Sequence, residues 1–248
     1  GVANGADAIR TKVRSNMKYG ADVIKFTATG GVLSRNTDVN ASQYSLDEMQ
    51  ALVAEAHDRG AIVAAHAHGL RGIKRALEAG VDSIEHASFI DDDAIKQAKR
   101  QGTYLVMDVY VSDYILQLGE AAGILPESLA KERTVGQLQR QNFTKAVKAG
   151  VKIAYGTDAG VYTHGLNGRQ LNYMVQWGMT PLQAIQSATL HAAELLNWRN
   201  EQGQLNVGVL EPGAYADMVA VKGNPLAQIT LLEQIPLVIK GGEQVKAP

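Results

Sequence analysis

Apolar residues along this chain fall into two alternating patterns, and a glycine marks the change from one to the other. Segments with apolar positions three and four apart run up to Gly20, Gly60, Gly80, Gly102 and Gly150, and each is followed by a short, nearly continuous apolar run. The first pattern predicts amphipathic helices and the second predicts buried strands. The predicted strands are 21–25, 61–66, 81–86, 103–108 and 151–158. A glycine after the last helical turn supplies the left-handed residue that lets the chain reverse into a strand. Ser45-Leu-Asp-Glu48 reads as a capping box ahead of Met49, Leu52, Val53 and Ala56. Thr180-Pro181 opens a later helix in the same manner, with Pro at the first helical position.

Helix alternating with buried strand predicts an α/β fold with a parallel sheet, either doubly wound or closed into a barrel. A dinucleotide-binding sheet wants a Gly-rich phosphate loop after its first strand, and Thr29-Gly30-Gly31 does not match that fingerprint. The strands end in Lys, His or Asp, which gathers reactive side chains on one rim. That rim is where (β/α)8 TIM barrels keep their active sites, so the barrel is the expected architecture. Residues 1–202 are expected to form its C-terminal portion, about five βα units plus extra helices. Residues 203–248 are expected to add part of a small β-sandwich, with strands at 216–221 and 236–240 and a turn at Gly241-Gly242. A closed barrel needs eight units. The remaining three are expected before Gly1, a start without Met that reads as processed or truncated.

Composition narrows the field. A chain of 248 residues with 46% hydrophobic and 20% charged residues is that of a folded globular protein. Its 24 basic and 25 acidic residues leave a net charge of −1, giving no electrostatic case for nucleic acid or an anionic membrane. The longest apolar runs, such as 104–111, are strand-sized and far short of a membrane span. The count of 0 cysteines excludes disulfides, thiolate nucleophiles and Cys-type zinc sites. Any metal must rest on His, Asp, Glu or a modified side chain.

Lys25 sits among the apolar Val23, Ile24 and Phe26 and admits three readings. Its head can reach solvent, it can form a Schiff base with a carbonyl substrate, or its amine can be converted to an anionic group bridging two metals. His66 and His68 flank Ala67, and residues two apart on a strand face the same way, so both imidazoles point into the barrel mouth. A lone buried His is more often structural than a ligand, but an alternating pair at that rim is harder to dismiss. His86 repeats the placement one strand along. Asp158, bracketed by Gly156 and Gly160, is placed to be a metal ligand, a general base or both, although Asp is also common in turns. Asp108 and Tyr110 follow a strand and are candidates to line the pocket. His164 lies in a loop on the same face, within reach of a substrate, and Arg169 is either a partner for a substrate carboxylate or a solvated loop residue. His57 reads as a surface residue and His191 as a packing or helix-end residue.

Taken together, Val23-Ile-Lys25-Phe, His66-Ala-His68-Gly69, Ile84-Glu-His86-Ala87 and Gly156-Thr-Asp158-Ala-Gly160 resemble the metal-dependent amidohydrolase superfamily. The resemblance is greatest to its imidazolonepropionase-like and Xaa-Pro dipeptidase branch, which includes carboxypeptidase-type and ochratoxin-hydrolysing enzymes. Pro212-Gly-Ala-Tyr-Ala-Asp217-Met-Val is similar to a turn and strand of that superfamily's C-terminal sandwich. The resemblance implies two divalent metal ions, zinc by default, with carboxylated Lys25 bridging them. It further implies that His66 and His86 hold one ion and Asp158 the other. Asp158 would also take the proton from the bridging hydroxide that attacks an amide carbonyl, while His68 orients or polarises substrate from just outside the metal shell. The implied substrate is a small amide or dipeptide, and an aromatic amide such as ochratoxin belongs to the same class. The family draws two further ligands from a His-x-His on its first barrel strand, and the one such motif here, His66-Ala67-His68, corresponds to strand five. The chain thus resembles strands four to eight plus the C-terminal sandwich strands. It is expected to be completed by an N-terminal segment of the same enzyme and to form a homo-oligomer.

Two other readings stand beside this one. The segment Val23-Ile-Lys25-Phe-Thr-Ala-Thr-Gly30 is also similar to the Schiff-base lysine strand of deoxyribose-phosphate-type aldolases. That reading leaves His66, His68, His86 and Asp158 without a shared task. The other is a metal-free fragment or subunit of an amidohydrolase, inactive alone.

Overall fold

The computed structural model describes residues 1–247. Four strands, β1 (Val23–Thr27), β2 (Ile62–Ala67), β3 (Ser83–His86) and β4 (Tyr104–Val106), pair in sequence order into a parallel sheet. Helices α1 (Ala6–Lys18), α2 (Leu46–His57), α3 (Leu70–Ala79) and α4 (Asp92–Gln101) alternate with them, as the helical and continuous apolar patterns predict. Gly80 and Gly102 close α3 and α4 in the left-handed conformation, with φ of 88° and 77°. The capping box forms: Glu48 accepts hydrogen bonds from the backbone N–H of Ser45 at 2.9 Å and of Gly5 at 2.7 Å, tying the entrance of α1 to that of α2.

One face of the sheet makes the core. Ile24, Phe26, Val63, Ala65, Ile84 and Leu105 pack against Met49 and Ala56 of α2, Ile73 and Leu77 of α3, and Ile95 of α4. Each fully buried aliphatic side chain contributes about 1.5–3 kcal/mol by leaving water. On the other face Lys25 and Thr27 are exposed and His66 is half-buried. Lys25 is therefore mid-strand, not the strand's last residue, because pairing with β2 continues through Thr27 opposite His66.

The fifth expected strand takes a different form. Ile153 makes a single parallel bridge to Leu105, and Leu105 donates to the Lys152 carbonyl at 2.9 Å while accepting from Ala154 at 3.1 Å. Beyond that the ladder stops, because Tyr155 N–H turns to the Ser187 carbonyl at 3.0 Å and Asp158 adopts φ of 50°. Asp158 thus stands on irregular backbone and not at a strand end.

After β4 come α5 (Val111–Leu118), the long α6 (Pro126–Ala149), α7 (Arg169–Gln176), α8 (Pro181–Ala188) and α9 (Leu190–Leu196). Thr180 and Gln183 complete the second capping box, ahead of Pro181 at the first position of α8. His57 pairs with Asp82 at 2.8 Å at the opposite end of the sheet, and His191 in α9 lies 3.3 Å from the Ile153 carbonyl. No described helix is long and apolar enough to cross a membrane.

A second sheet follows, antiparallel, from β5 (Met218–Ala220), β6 (Leu237–Lys240) and β7 (Glu243–Lys246). The two-residue turn Gly241-Gly242 joins β6 to β7 with φ positive at both positions, the hairpin geometry that glycine permits. The third strand was not anticipated in the sequence, since Glu243-Gln-Val-Lys246 has one apolar residue in four. Between β5 and β6, Ile229 is buried in the main core, and Gly168 meets the Leu232 carbonyl so closely that no side chain would fit there.

Candidate active site

The reactive side chains converge at the C-terminal ends of the parallel strands. The donor atoms of His66, His68 and His86 all lie within 4.8 Å of one another, and those of His86, Asp108 and Asp158 form a second such group. His86 belongs to both. The histidine rings contact each other directly, His68 stacked on His86 at 4.7 Å and edge-on to His66 at 4.8 Å.

Each position follows from local structure. His66 is opposite Thr27, on the face that Lys25 also occupies. His68 is buried beyond the end of β2, its N–H donated to Thr29 Oγ1 at 2.9 Å and its Nδ1 2.8 Å from Ser88 Oγ. His86 ends β3 with φ of 67°, and Ala87 follows with φ of 49°. Left-handed backbone costs a non-glycine residue about 1–2 kcal/mol, so the turn must be held by its surroundings. Helix α6 holds it from outside, with Gln139 Nε2 donating to the His86 carbonyl at 3.2 Å and Asn142 Nδ2 to the Ser88 carbonyl at 2.8 Å.

Asp108 is the acceptor that orients His86. His86 Nδ1 lies 2.9 Å from Asp108 Oδ1, which also accepts from Gln139 Nε2 at 2.7 Å. Gln170, the second residue of α7 and fully buried, staples the flanking backbone. It donates to the carbonyls of Met107 at 2.8 Å and Gly156 at 2.9 Å and accepts from Tyr110 N–H at 2.9 Å. The segments carrying Asp108 and Asp158 are thereby fixed to one amide.

Electrostatics divides the cluster. Burial, reinforced by repulsion from His86, pushes His66 down to about 4 and His68 down to about 2. Both are neutral near pH 7, the state in which an imidazole binds metal. Burial also disfavours charge on His86, but the adjacent Asp108 more than offsets it and raises the imidazole above its usual range. Asp108 reciprocates: burial opposes its charge, yet His86 and Gln139 hold it down to about 2. With Nδ1–H bound to Asp108, Nε2 is the nitrogen that His86 has free for a cation. Further along α6, burial drives the Glu132 carboxyl up to about 7, although Ser112 Oγ donates to it.

The residues fit a divalent cation. His66 Nε2 is buried without a hydrogen-bond partner, and a Cβ on Gly31 would stand 3.5 Å from it. A bare imidazole nitrogen facing a glycine, beside two further imidazoles and two carboxylates, is a nitrogen and oxygen donor set suited to zinc and its neighbours.

Of the other candidates, Lys25 is exposed on β1, and its charge bears on His66 and Glu85. Tyr110 is buried and packs at 5.1 Å against both Tyr162 and Tyr173, and Arg169 Nη1 donates to its hydroxyl at 3.3 Å. His164 is exposed in the loop before α7, outside both donor groups. The part played by Asp108 in fixing His86 is not evident in the sequence, although it lies near the C-terminal end of a parallel strand, as His66 and His86 do. Gln139, Asn142 and Gln170 carry no sequence signal, since buried amides on helices read as ordinary polar positions.

Comparison with known proteins identifies the family. The profile of the amidohydrolase family matches residues 2–245. Ochratoxinase of Aspergillus niger is 36% identical over 252 aligned residues, covering 100% of this chain and 51% of that protein. Imidazolonepropionase of Cutibacterium acnes is 27% identical over 169 residues, covering 67% of this chain and 36% of that protein. A crystal structure of a Xaa-Pro dipeptidase with methionine bound in its active site superposes with a TM-score of 0.92 at 43% identity, covering 100% of this chain and 60% of that one. The chain thus spans about half the length of the ochratoxinase it matches. With a family match running nearly from end to end and this rim of histidines and aspartates, the chain belongs to the amidohydrolase family.

Proposed function

We propose that this chain forms the C-terminal part of a metal-dependent hydrolase that cleaves an amide or peptide bond. The observation that carries the reading is the pair of donor groups sharing His86, with His66 Nε2 bare beside them. In this reading the parallel sheet is a segment of a (β/α)8 barrel within residues 1–202, and residues 203–248 supply part of a composite sandwich. The exposed edge of β1, which pairs only with β2 among the described residues, is where an N-terminal segment carrying a His-x-His would join. A homo-oligomer is the expected assembly.

His66 and His86 would hold one ion and Asp158 the other, with Lys25, carboxylated on its amine, between them. Two divalent ions held there, zinc first, would supply a lowered pKa for water and stabilisation of the oxyanion on the carbonyl. The chain's own groups carry the proton. Asp158, exposed and near His86, accepts a proton from the attacking water as its oxygen bonds to the carbonyl carbon. It then delivers that proton to the amine nitrogen as the C–N bond breaks, leaving a carboxylic acid and an amine. His68 faces the same space and orients the carbonyl. Tyr110 and Arg169 offer a hydroxyl and a guanidinium to a substrate carboxylate, and His164 lies in the adjoining loop. The substrate class, a dipeptide or an aromatic amide such as ochratoxin, is supported by the names of the Xaa-Pro dipeptidase and the ochratoxinase relatives.

Clustering favours hydrolysis over Schiff-base chemistry, because Lys25 shares its face with His66 and does not stand alone. The test is amine release from dipeptides with C-terminal proline and from N-acylphenylalanines, with and without chelator. Chelator-sensitive release is expected. Reduction of a carbonyl compound onto Lys25 by borohydride, with no amide cleaved, would overturn the reading. Metal uptake without turnover of any amide would favour an inert subunit.

A further inference from the structure

Gln139 touches the site twice with one nitrogen. Its Nε2 donates to Asp108 Oδ1 at 2.7 Å and to the His86 carbonyl at 3.2 Å, and Asp108 Oδ1 in turn meets His86 Nδ1 at 2.9 Å. The amide therefore grips His86 at both ends, through its left-handed backbone and through its ring. Gln139 is 3% exposed and sits in the middle of α6, so the helix itself delivers the grip. A buried amide is sometimes no more than filler that satisfies the backbone. Here one of its two acceptors is a carboxylate whose other partner is a donor-cluster histidine, and filler does not require that.

We propose that Gln139 is a positioning residue that fixes the Nδ1–H of His86 on Asp108, so that Nε2 alone faces the site. The purpose assigned to Nε2 rests on the metal-centre reading, whereas the fixing of Nδ1 does not. Without the Gln139 amide, Asp108 loses its second donor and the His86 turn loses a backbone anchor. The ring then samples other orientations.

The full chain, with Gln139→Leu and Gln139→Glu, separates these claims. Proton NMR of wild type is expected to show a downfield Nδ1–H resonance, assigned by its loss in His86→Gln. Both Gln139 variants are expected to broaden or lose it while keeping the wild-type circular dichroism, and cobalt(II) affinity should fall roughly 10–100-fold. Two variants of different polarity guard against one of them failing to fold. A resonance that persists in a folded Gln139 variant, or that wild type never shows, overturns the proposal. If wild type takes up no cobalt yet both variants lose the resonance, the positioning role stands and the metal-centre reading falls.

Discussion

In the parallel sheet Val63, Ile84 and Leu105 are wholly buried, whereas in the antiparallel sheet Val219 and Val245 are 51% and 60% exposed. Valine stands in strands of both sheets, so its strand propensity does not distinguish them. Cover does. Helices α2, α3 and α4 lie over one face of the parallel sheet, while β5 and β7 are exposed along their whole length. The strained residues of the site, His86 and Ala87, stand on the sheet whose core can hold them.

The largest effect expected from sharpening this contrast is on catalysis. Asp158→Asn should lower kcat by about 10²–10⁴-fold, the range for loss of a general base. Its melting temperature should change little, because Asp158 is exposed and asparagine readily adopts its left-handed backbone. Steady-state kinetics beside a thermal melt checks both halves, and a large loss of stability would mean that Asp158 is structural. In the core, Ile84→Ala should cost about 2–5 kcal/mol in urea unfolding, since the cavity lies between sheet and helices.

Glu132 gives the same region a pH signature. Its carboxyl is raised to about 7 by burial, while an unfolded glutamate titrates near 4.3. Between those values the native state keeps a proton that the unfolded chain has lost. Stability must therefore fall as pH rises through that window. The fall is on the order of 4 kcal/mol, at about 1.4 kcal/mol per pH unit. Glu132→Gln should flatten the profile across the window, as denaturant midpoints at successive pH values will show.

A smaller effect is expected from Gly31→Ala, which sets a methyl 3.2 Å from Ser34 Oγ and 3.5 Å from His66 Nε2. Zinc affinity measured by calorimetry should fall about tenfold with stability nearly unchanged. Least of all, Val219→Ala should shift stability by no more than about 0.5 kcal/mol, as for most exposed positions. A cost as large as that of Ile84→Ala would show that the second sheet has cover and would erase the contrast.

Much of the fold was legible because it follows local rules. The glycines before the strands, the capping boxes at Ser45 and Thr180, and the apolar runs of β1 to β4 each depend on a few neighbouring residues. His66 and His86 were legible for the same reason, as strand-end residues of a parallel sheet. The fifth strand was not, because Val151–Ile153 has strand composition but its hydrogen bonds are diverted at Tyr155 to Ser187, a tertiary choice. Nor was β7, whose polar sequence is held by pairing to β6. The amides of Gln139 and Gln170 were invisible, since their value lies in which carbonyls and carboxylates the folded chain brings within reach.

The most direct test of the central claim is the metal content of the purified enzyme that contains this chain, equilibrated with zinc and measured by inductively coupled plasma mass spectrometry. The account predicts about two zinc ions for each copy of the chain, the complement of a two-metal hydrolytic site. Retention of no divalent metal would contradict it, leaving His66 Nε2 a bare nitrogen without a purpose.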